Sequence, residues 1–324
     1  MEADTCEGGS GRVSPDEAFA ALGSETRLDI LLALREAEHL LSFSELFDAV
    51  GYSDYSNFDY HLEKLEGPFV RKTEHGYDLT GAGRRIIAAV LSGTVGEEPV
   101  IEPTRIDGQC PYCGAPIDMG FQREHVEVYC TECPGVMREA GPKGRYFSSR
   151  GLLRHFSLPP AGIAHRSPEE VLAAAWTWGR LNVVADSAGV CSRCSADVEY
   201  SVLVCEDHEV VDGYCDRCDR RYAVRFSINC RNCHYTIHRL ATEYLLARTE
   251  VLAFLTTHGI NPLVPENLDR ALAAVTDYEE QLLSTDPFEA RFTITVDGAS
   301  ITLTVDEALS VTDVTRNDSS DHGC

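Results

Sequence analysis

The 324-residue sequence predicts an α+β multidomain protein, and three observations carry that reading. Helical patterning fills the first quarter of the chain and is broken there by one short hairpin signal. Five Cys-x-x-Cys pairs then fall in two blocks, the first between residues 110 and 133 and the second between residues 191 and 233. Near the C-terminus, Phe292–Val305 alternates apolar and polar residues around Asp297-Gly298, the pattern of a β-hairpin with a primed turn.

The N-terminal elements follow in order. Residues 1–13 are polar and glycine-rich and read as a disordered tail. Ser14-Pro15-Asp16-Glu17 then supplies an N-cap, a proline for the first helical position and first-turn acids. Four short helices are expected, at about Asp16–Leu22, Glu25–Ala37, Phe43–Val50 and Asp54–Leu65, with Ser24 and Ser42 at caps and Ser53 opening the fourth. Phe69–Thr73 and Tyr77–Leu79 flank a turn at His75-Gly76, and Thr80 caps a last helix that runs to Leu91. Helix, helix, turn, helix, two-stranded wing, helix is the order of a winged helix-turn-helix, placed at residues 14–94.

The fourth helix has two faces. Phe58, Leu62 and Leu65 form an apolar stripe for the core. Asn57, Tyr60, His61 and Lys64 lie on a neighbouring polar face, where they could hydrogen-bond base edges or phosphates in a major groove. A plain solvated face is the alternative.

Charge sharpens the choice. The chain carries 52 acidic and 28 basic residues, a net −24, and Lys64, Lys72 and Lys143 are its three lysines. An acidic surface nearly free of lysine suits a cytoplasm of molar salt, where the Debye length is about 3 Å and like charges hardly repel. Taken whole, such a charge argues against nucleic acid. Locally it does not. From Ser14 to Glu63 there are two basic and eleven acidic residues; from Lys64 to Arg85 there are five basic and three acidic. The positive charge gathers on the end of the fourth helix, the wing and the start of the last helix, the parts a winged helix lays along phosphates.

Several runs here resemble a known family. Leu22-Gly23-Ser24-Glu25-Thr26-Arg27-Leu28-Asp29-Ile30-Leu31, Phe43-Ser44-Glu45-Leu46, Ser56–Leu65 with its His61-Leu62-Glu63-Lys64-Leu65 ending, and Gly76-Tyr77-Asp78-Leu79-Thr80 are similar to the ArsR-type winged-helix transcriptional regulators. The whole layout, with cysteine pairs downstream, resembles the multidomain ArsR-like proteins common in haloarchaea. The resemblance covers residues 15–92 and implies a homodimer that binds double-stranded DNA sequence-specifically. The DNA contacts expected on that basis are Ser53, Tyr55, Ser56, Asn57, Tyr60, His61 and Lys64 on the helix, and Arg71, Lys72, His75 and Tyr77 on the wing. Metal-sensing members place cysteines in the helix before the recognition helix. Phe43–Val50 has none, so sensing of that type is not expected.

Thirteen cysteines occur, with Cys6 and Cys324 in the tails. A Cys-x-x-Cys knuckle turns two thiolates onto one ion, and two knuckles complete a tetrahedral zinc site. Cys110/Cys113 and Cys130/Cys133 are separated by sixteen residues, Gly114 to Tyr129, enough for the hairpin of a zinc ribbon at 106–150. The second block, at 189–238, offers Cys191/Cys194, Cys205/His208, Cys215/Cys218 and Cys230/Cys233, which makes three Zn2+ per chain. The four pairs could join sequentially or interleave as first with third and second with fourth; the interleaved order is favoured because it follows the layout of the first ribbon. Alternatively Cys205 is a buried thiol, His208 a surface histidine, and one site does not form. The Cys230-Arg231-Asn232-Cys233-His234 string also fits haem attachment, but four other pairs share the spacing without the histidine.

The remaining segments are expected as a linker at 95–105, a helical connector at 151–188, helices at about His238–His258 and Pro265–Ser284 with the hairpin inside 239–314, and a disordered tail at 315–324. Trp176 and Trp178 point to different faces of their helix. Arg217, Arg220, Arg221, Arg225 and Arg231 read first as surface ion pairs. No nucleophile triad, phosphate loop or paired-carboxylate motif stands out, so no enzyme is expected. No apolar run nears the ~18 residues of a membrane span and no secretory pattern opens the chain, so the expected compartment is the cytoplasm, with no membrane partner. The functional expectation is a DNA-binding transcriptional regulator whose zinc-stapled C-terminal region senses, dimerises or contacts the transcription machinery. The alternative is a protein-interaction or thiol-redox-responsive adaptor whose winged helix does not bind DNA specifically.

Overall fold

The structure, a computed structural model, describes residues 14–96, 98–136, 146–148 and 150–317. The expected tail at 1–13, and residues 318–324 of the one expected at 315–324, lie outside the described residues, with Cys6 and Cys324. The chain divides into two units, residues 1–97 and 98–324. Nine α-helices and fifteen strands occur among the described residues, the α+β class that the sequence predicts. None of these helices is long and apolar enough to cross a membrane.

In the first unit the order is α1 (Pro15–Leu22), α2 (Glu25–Glu36), α3 (Phe43–Val50), α4 (Tyr55–Leu65), β1 (Val70–Thr73), β2 (Gly76–Leu79) and α5 (Gly81–Leu91). Ser14 and Ser42 form reciprocal capping boxes with Glu17 and Glu45, which set where α1 and α3 begin. Gly51 closes α3 in the left-handed conformation. The cap of α4 is Asp54, one residue beyond Ser53; its carboxylate accepts the Asn57 N–H at 3.1 Å. Ile30, Leu31, Leu46, Phe58, Leu62, Leu65 and Ile87 are fully buried in one core. Leu41 adds a third short segment to the hairpin, because the Tyr77 N–H donates to its carbonyl at 2.8 Å. Gly76 permits this approach: its φ is +133°, and a Cβ there would stand 2.6 Å from the Leu41 oxygen.

The second unit begins with β3 (Ile101–Gln109), β4 (Pro116–Gln122), β5 (His125–Cys130) and β6 (Leu152–Ser157), an antiparallel sheet in that order. Helix α6 (Pro168–Ser187) follows, opened by a capping box between Ser167 and Glu170. Then come β7 (Val198–Val204), β8 (Val210–Val211), β9 (Tyr214–Cys215), β10 (Val224–Cys230) and β11 (Thr236–Leu240). Strands β11, β10 and β7 pair in that order, and β8 pairs with β9. Helices α7 (Ala241–Leu245), α8 (Thr249–Thr257) and α9 (Leu268–Thr276) lead to a meander of β12 (Glu279–Thr285), β13 (Phe288–Val296), β14 (Ala299–Asp306) and β15 (Val311–Asn317). One core joins all of these except the β8–β9 pair: Phe121, Phe156, Trp176, Phe226, Tyr244 and Phe292 are buried in the same cluster. Trp176 donates its indole N–H to the Pro262 carbonyl at 2.9 Å while Trp178 stays 45 % exposed, so the two tryptophans do face different ways.

Four expectations need correction. Strand β3 starts inside the expected linker, because Ile101, Thr104 and Ile106 pair with Phe121, Met119 and Ile117. Strand β6 replaces the start of the expected helical connector: Leu152, Leu153 and Phe156 are all buried, as they can be on an outer strand covered by α6. The helix expected over Pro265–Ser284 stops at Thr276, where Asp277 turns extended and the next residues pair with β13. The helix expected from His238 gives way to the end of β11 and then two short helices. The expected hairpin is present, with Asp297 and Gly298 both at positive φ, and β12 and β15 flank it; β15 takes residues 315–317 from the expected tail.

A charged cluster sits inside this core. Arg239 Nη1 lies 3.1 Å and Arg180 Nη2 3.4 Å from Glu243 Oε2, all three side chains being almost fully buried. Arg154, also buried, donates to the Leu153 and Val275 carbonyls. Burial pushes the Glu243 carboxyl up, but the charges of Arg154, Arg239 and Arg180 outweigh it and hold the group down to about 2.

Candidate metal centres and candidate nucleic-acid interface

Eleven cysteines and one histidine come together as three tetrads. They are Cys110, Cys113, Cys130 and Cys133; Cys191, Cys194, Cys230 and Cys233; and Cys205, His208, Cys215 and Cys218, each set with its ligand atoms within 4.8 Å of one another. The sulfurs are not disulfide-bonded. Sulfur–sulfur separations are 3.6 Å for Cys110–Cys133, 3.5 Å for Cys113–Cys130, 3.7 Å for Cys191–Cys233 and 3.5 Å for Cys194–Cys230. Ligands at a Zn–S distance of about 2.3 Å on a tetrahedron stand about 3.8 Å apart, so the sets fit one tetrahedral ion each.

The local sequence explains the knuckles. In four of them the first cysteine receives the N–H of the residue four on: Gly114, Ser195, Asp219 and His234 donate to the carbonyls of Cys110, Cys191, Cys215 and Cys230. All four donors sit at positive φ, which closes the turn and brings the two sulfurs to one side. Backbone N–H groups also point at sulfur, from Arg193 to Cys191, Arg217 to Cys215 and Cys133 to Cys130 at 3.3–3.4 Å. The Asn232 amide donates to Cys194 Sγ at 3.4 Å and, with the Ala196 N–H, lowers that thiol to about 6. His208 presents Nδ1, 3.6 Å from Cys218 Sγ, while its Nε2 meets the Arg221 carbonyl at 3.1 Å. A proton on Nε2 leaves the Nδ1 lone pair for a metal, the arrangement that orients a histidine ligand.

The pairing of the second block is a correction. It is neither sequential nor interleaved but nested: first with fourth, second with third. Strands β7 and β10 pair with Val198 opposite Cys230 and Val204 opposite Val224. The knuckle before β7 and the knuckle at the end of β10 therefore meet at one end of the ribbon, and the two inner pairs meet at the other. The first tetrad obeys the same logic, with Ile117 opposite Cys130 at the open end of the β4–β5 hairpin. The arginines divide as well. Arg217 and Arg231 make the expected surface ion pairs, with Asp207 and Glu199, whereas Arg221 is held between the Tyr112 and Tyr214 rings.

In the first unit, α4 buries Phe58, Leu62 and Leu65, and leaves Ser53, Tyr55, Ser56, Asn57, Tyr60 and Lys64 exposed. Asn57 donates to the Tyr52 hydroxyl at 2.7 Å. His61 is half-buried; Arg27 Nε on α2 lies 3.3 Å from its Nδ1. Desolvation, and then the Arg27 charge, lower the His61 pKa and favour the neutral ring, and the Arg27 N–H on Nδ1 leaves the ring proton on Nε2. The Tyr60 ring carries Lys64 at 5.3 Å and Arg27 at 5.9 Å. Arg71 and Arg84 both bind Asp78, at 2.8 Å each, so part of the local positive charge is spent inside the hairpin. His75 is exposed at the turn, and Lys72 lies over the Tyr77 ring. Tyr77 is a correction: its ring is core, because β2 alternates and Tyr77 shares the inner face with Leu79. Sequence reading missed Arg27 and Tyr52. They reach the helix from 34 and 5 residues away, and no local pattern announces either contact.

Comparison with known proteins matches these boundaries. No curated protein and no solved structure is significantly similar to the chain. A family model described as Domain of unknown function (DUF7347) matches residues 15–90, from the start of α1 to the penultimate residue of α5. A second matches residues 107–311, well over half the sequence and all three tetrads; the chain belongs to that family, described as Domain of unknown function (DUF7351).

Proposed function

We propose that the protein is a DNA-binding transcriptional regulator, an ArsR-like winged helix joined to a zinc-stapled region. The observation that supports this best is the α4 face: Asn57, Tyr60, neutral His61 and Lys64 stand on the face that neighbours its buried stripe, and Lys72 is exposed on the hairpin. Asparagine, histidine and tyrosine can read base edges, and the lysines can hold phosphates. The three tetrads take Zn2+ structurally, since four protein ligands leave no open position for catalysis. Alanine at both Asn57 and His61 should weaken binding to the preferred sequence by about thirtyfold or more, at ~1–3 kcal/mol for each of two base contacts. In vitro selection from random duplexes in molar KCl, followed by a gel shift, measures this. No enriched sequence, or equal binding by the double variant, would favour a protein-binding adaptor.

The regulator acts as a homodimer. Phe19 on α1 is 71 % exposed and lines an apolar pocket with Leu22, Phe69, Ala82 and Ile86, a surface that a second copy of the chain would cover. Sedimentation should give a dimer, and Phe19→Asp a monomer; an unchanged sedimentation coefficient would place the interface elsewhere.

A further inference from the structure

The Arg27 side chain on α2 is clamped at both ends of its guanidinium. Its Nη1 donates to the Ala20 and Ala21 carbonyls at the end of α1, at 3.0 and 3.1 Å, and its Nε–H is aimed at His61 Nδ1 on α4, 3.3 Å away. A guanidinium never loses its protons in a protein and offers donors only. The atom that faces it must therefore accept, so Nδ1 keeps its lone pair. A neutral imidazole with a bare Nδ1 carries its one proton on Nε2. That Nε2 has no hydrogen-bond partner among the described residues. Asn57, one helical turn earlier, is held in a comparable way: one of its amide N–H groups goes to the Tyr52 hydroxyl at 2.7 Å. Its Oδ1 and its second N–H remain, an acceptor beside a donor.

We infer that Arg27 sets which base α4 reads: by fixing His61 as a donor at Nε2 it selects guanine, while Asn57, fixed by Tyr52, selects adenine. The base selection rests on the DNA-binding reading of the same face. In the major groove guanine presents two acceptors, N7 and O6, whereas cytosine presents only its N4 amino donor, which a donor on His61 cannot meet. Adenine presents the N6 donor and N7 acceptor that match an amide's acceptor and donor. Four residues of helix rise ~6 Å, about two base-pair steps of 3.4 Å, so the two bases stand about two pairs apart. Arg27 touches no base in this scheme. It is a positioning residue, and its loss frees His61 to carry the proton on Nδ1 and accept from cytosine through Nε2.

Two measurements on the zinc-loaded full chain in molar KCl test this. Long-range nitrogen–proton NMR of the ring-labelled histidines reads the His61 tautomer without DNA: Nε2–H is expected in the wild type, and a mixture in Arg27→Leu. The wild-type spectrum decides the tautomer even where the variant fails to fold, and a proton on Nδ1 there would overturn the assignment. In vitro selection from random duplexes should enrich adenine and guanine about two pairs apart, with guanine preferred over cytosine by about tenfold. Arg27→Leu should reduce that preference to about twofold while the adenine stays selected. An enriched sequence without this pair, or a guanine preference untouched by Arg27→Leu, overturns the role of Arg27 and leaves DNA binding standing. Enrichment of no sequence at all overturns both.

Discussion

Serine in place of Cys130 is expected to lower zinc content from three to two per chain and to unfold the second unit while the first remains folded. Cys130 sits 3.5 Å from Cys113 Sγ and accepts N–H groups from Glu132 and Cys133, so its loss opens the first tetrad on the strand side. A structural zinc supplies an apparent ~10–16 kcal/mol in small zinc-folded peptides, as much as the ~5–15 kcal/mol that holds a whole domain. Three of the four sheets and all four α-helices of the second unit share one core, and so the damage cannot stay local. The first unit has its own core and should keep its helical signal. Metal analysis with limited proteolysis checks both parts. Three zincs retained, or simultaneous loss of both units, would contradict the account.

The second large effect is expected at Glu243. Glu243→Gln leaves Arg154, Arg180 and Arg239 buried without their shared carboxylate. Breaking a buried ion pair from one side costs about 3–5 kcal/mol. The sign of the pH dependence follows from the lowered pKa. Glu243 titrates at about 2 when folded and at the ordinary 4.5 when unfolded, so its contribution is fully present above 4.5 and fades only as pH falls toward 2. The cost of the substitution should therefore be flat from about pH 5 to 8. Urea unfolding across that range measures it. A cost below about 1 kcal/mol, or one that changes steeply within the range, would mean the cluster is not held by this carboxylate.

Much of this was legible before any coordinates. Ser14 and Ser167 announced their helices, since a capping box and a first-position proline are local chemistry. All twelve ligands were legible for the same reason: a knuckle is four residues long. Their partners were not. Which knuckle meets which depends on β7 pairing with β10 across the nineteen intervening residues, and cysteine spacing is silent on strand pairing. The missed strands share a cause as well. Leu152-Leu153-Arg154-His155-Phe156 does not alternate, because α6 covers one side and the charged cluster lies near the other; Glu279–Thr285 simply continues a helical pattern into a strand. Tyr77 failed differently. A tyrosine in a wing looks like a phosphate contact until the register with Val70 and Leu79 turns it inward.

The net charge changes meaning in the same way. The −24 of the whole chain hides an opposed local feature, the five basic residues between Lys64 and Arg85 against three acidic ones.

The central claim, that α4 reads DNA, is tested most directly by genome-wide occupancy of the tagged protein beside its Asn57→Ala, His61→Ala counterpart at equal abundance. The account expects discrete peaks that share one sequence and vanish in the double variant. Peaks that persist unchanged in the variant, or an absence of peaks in both, would contradict it.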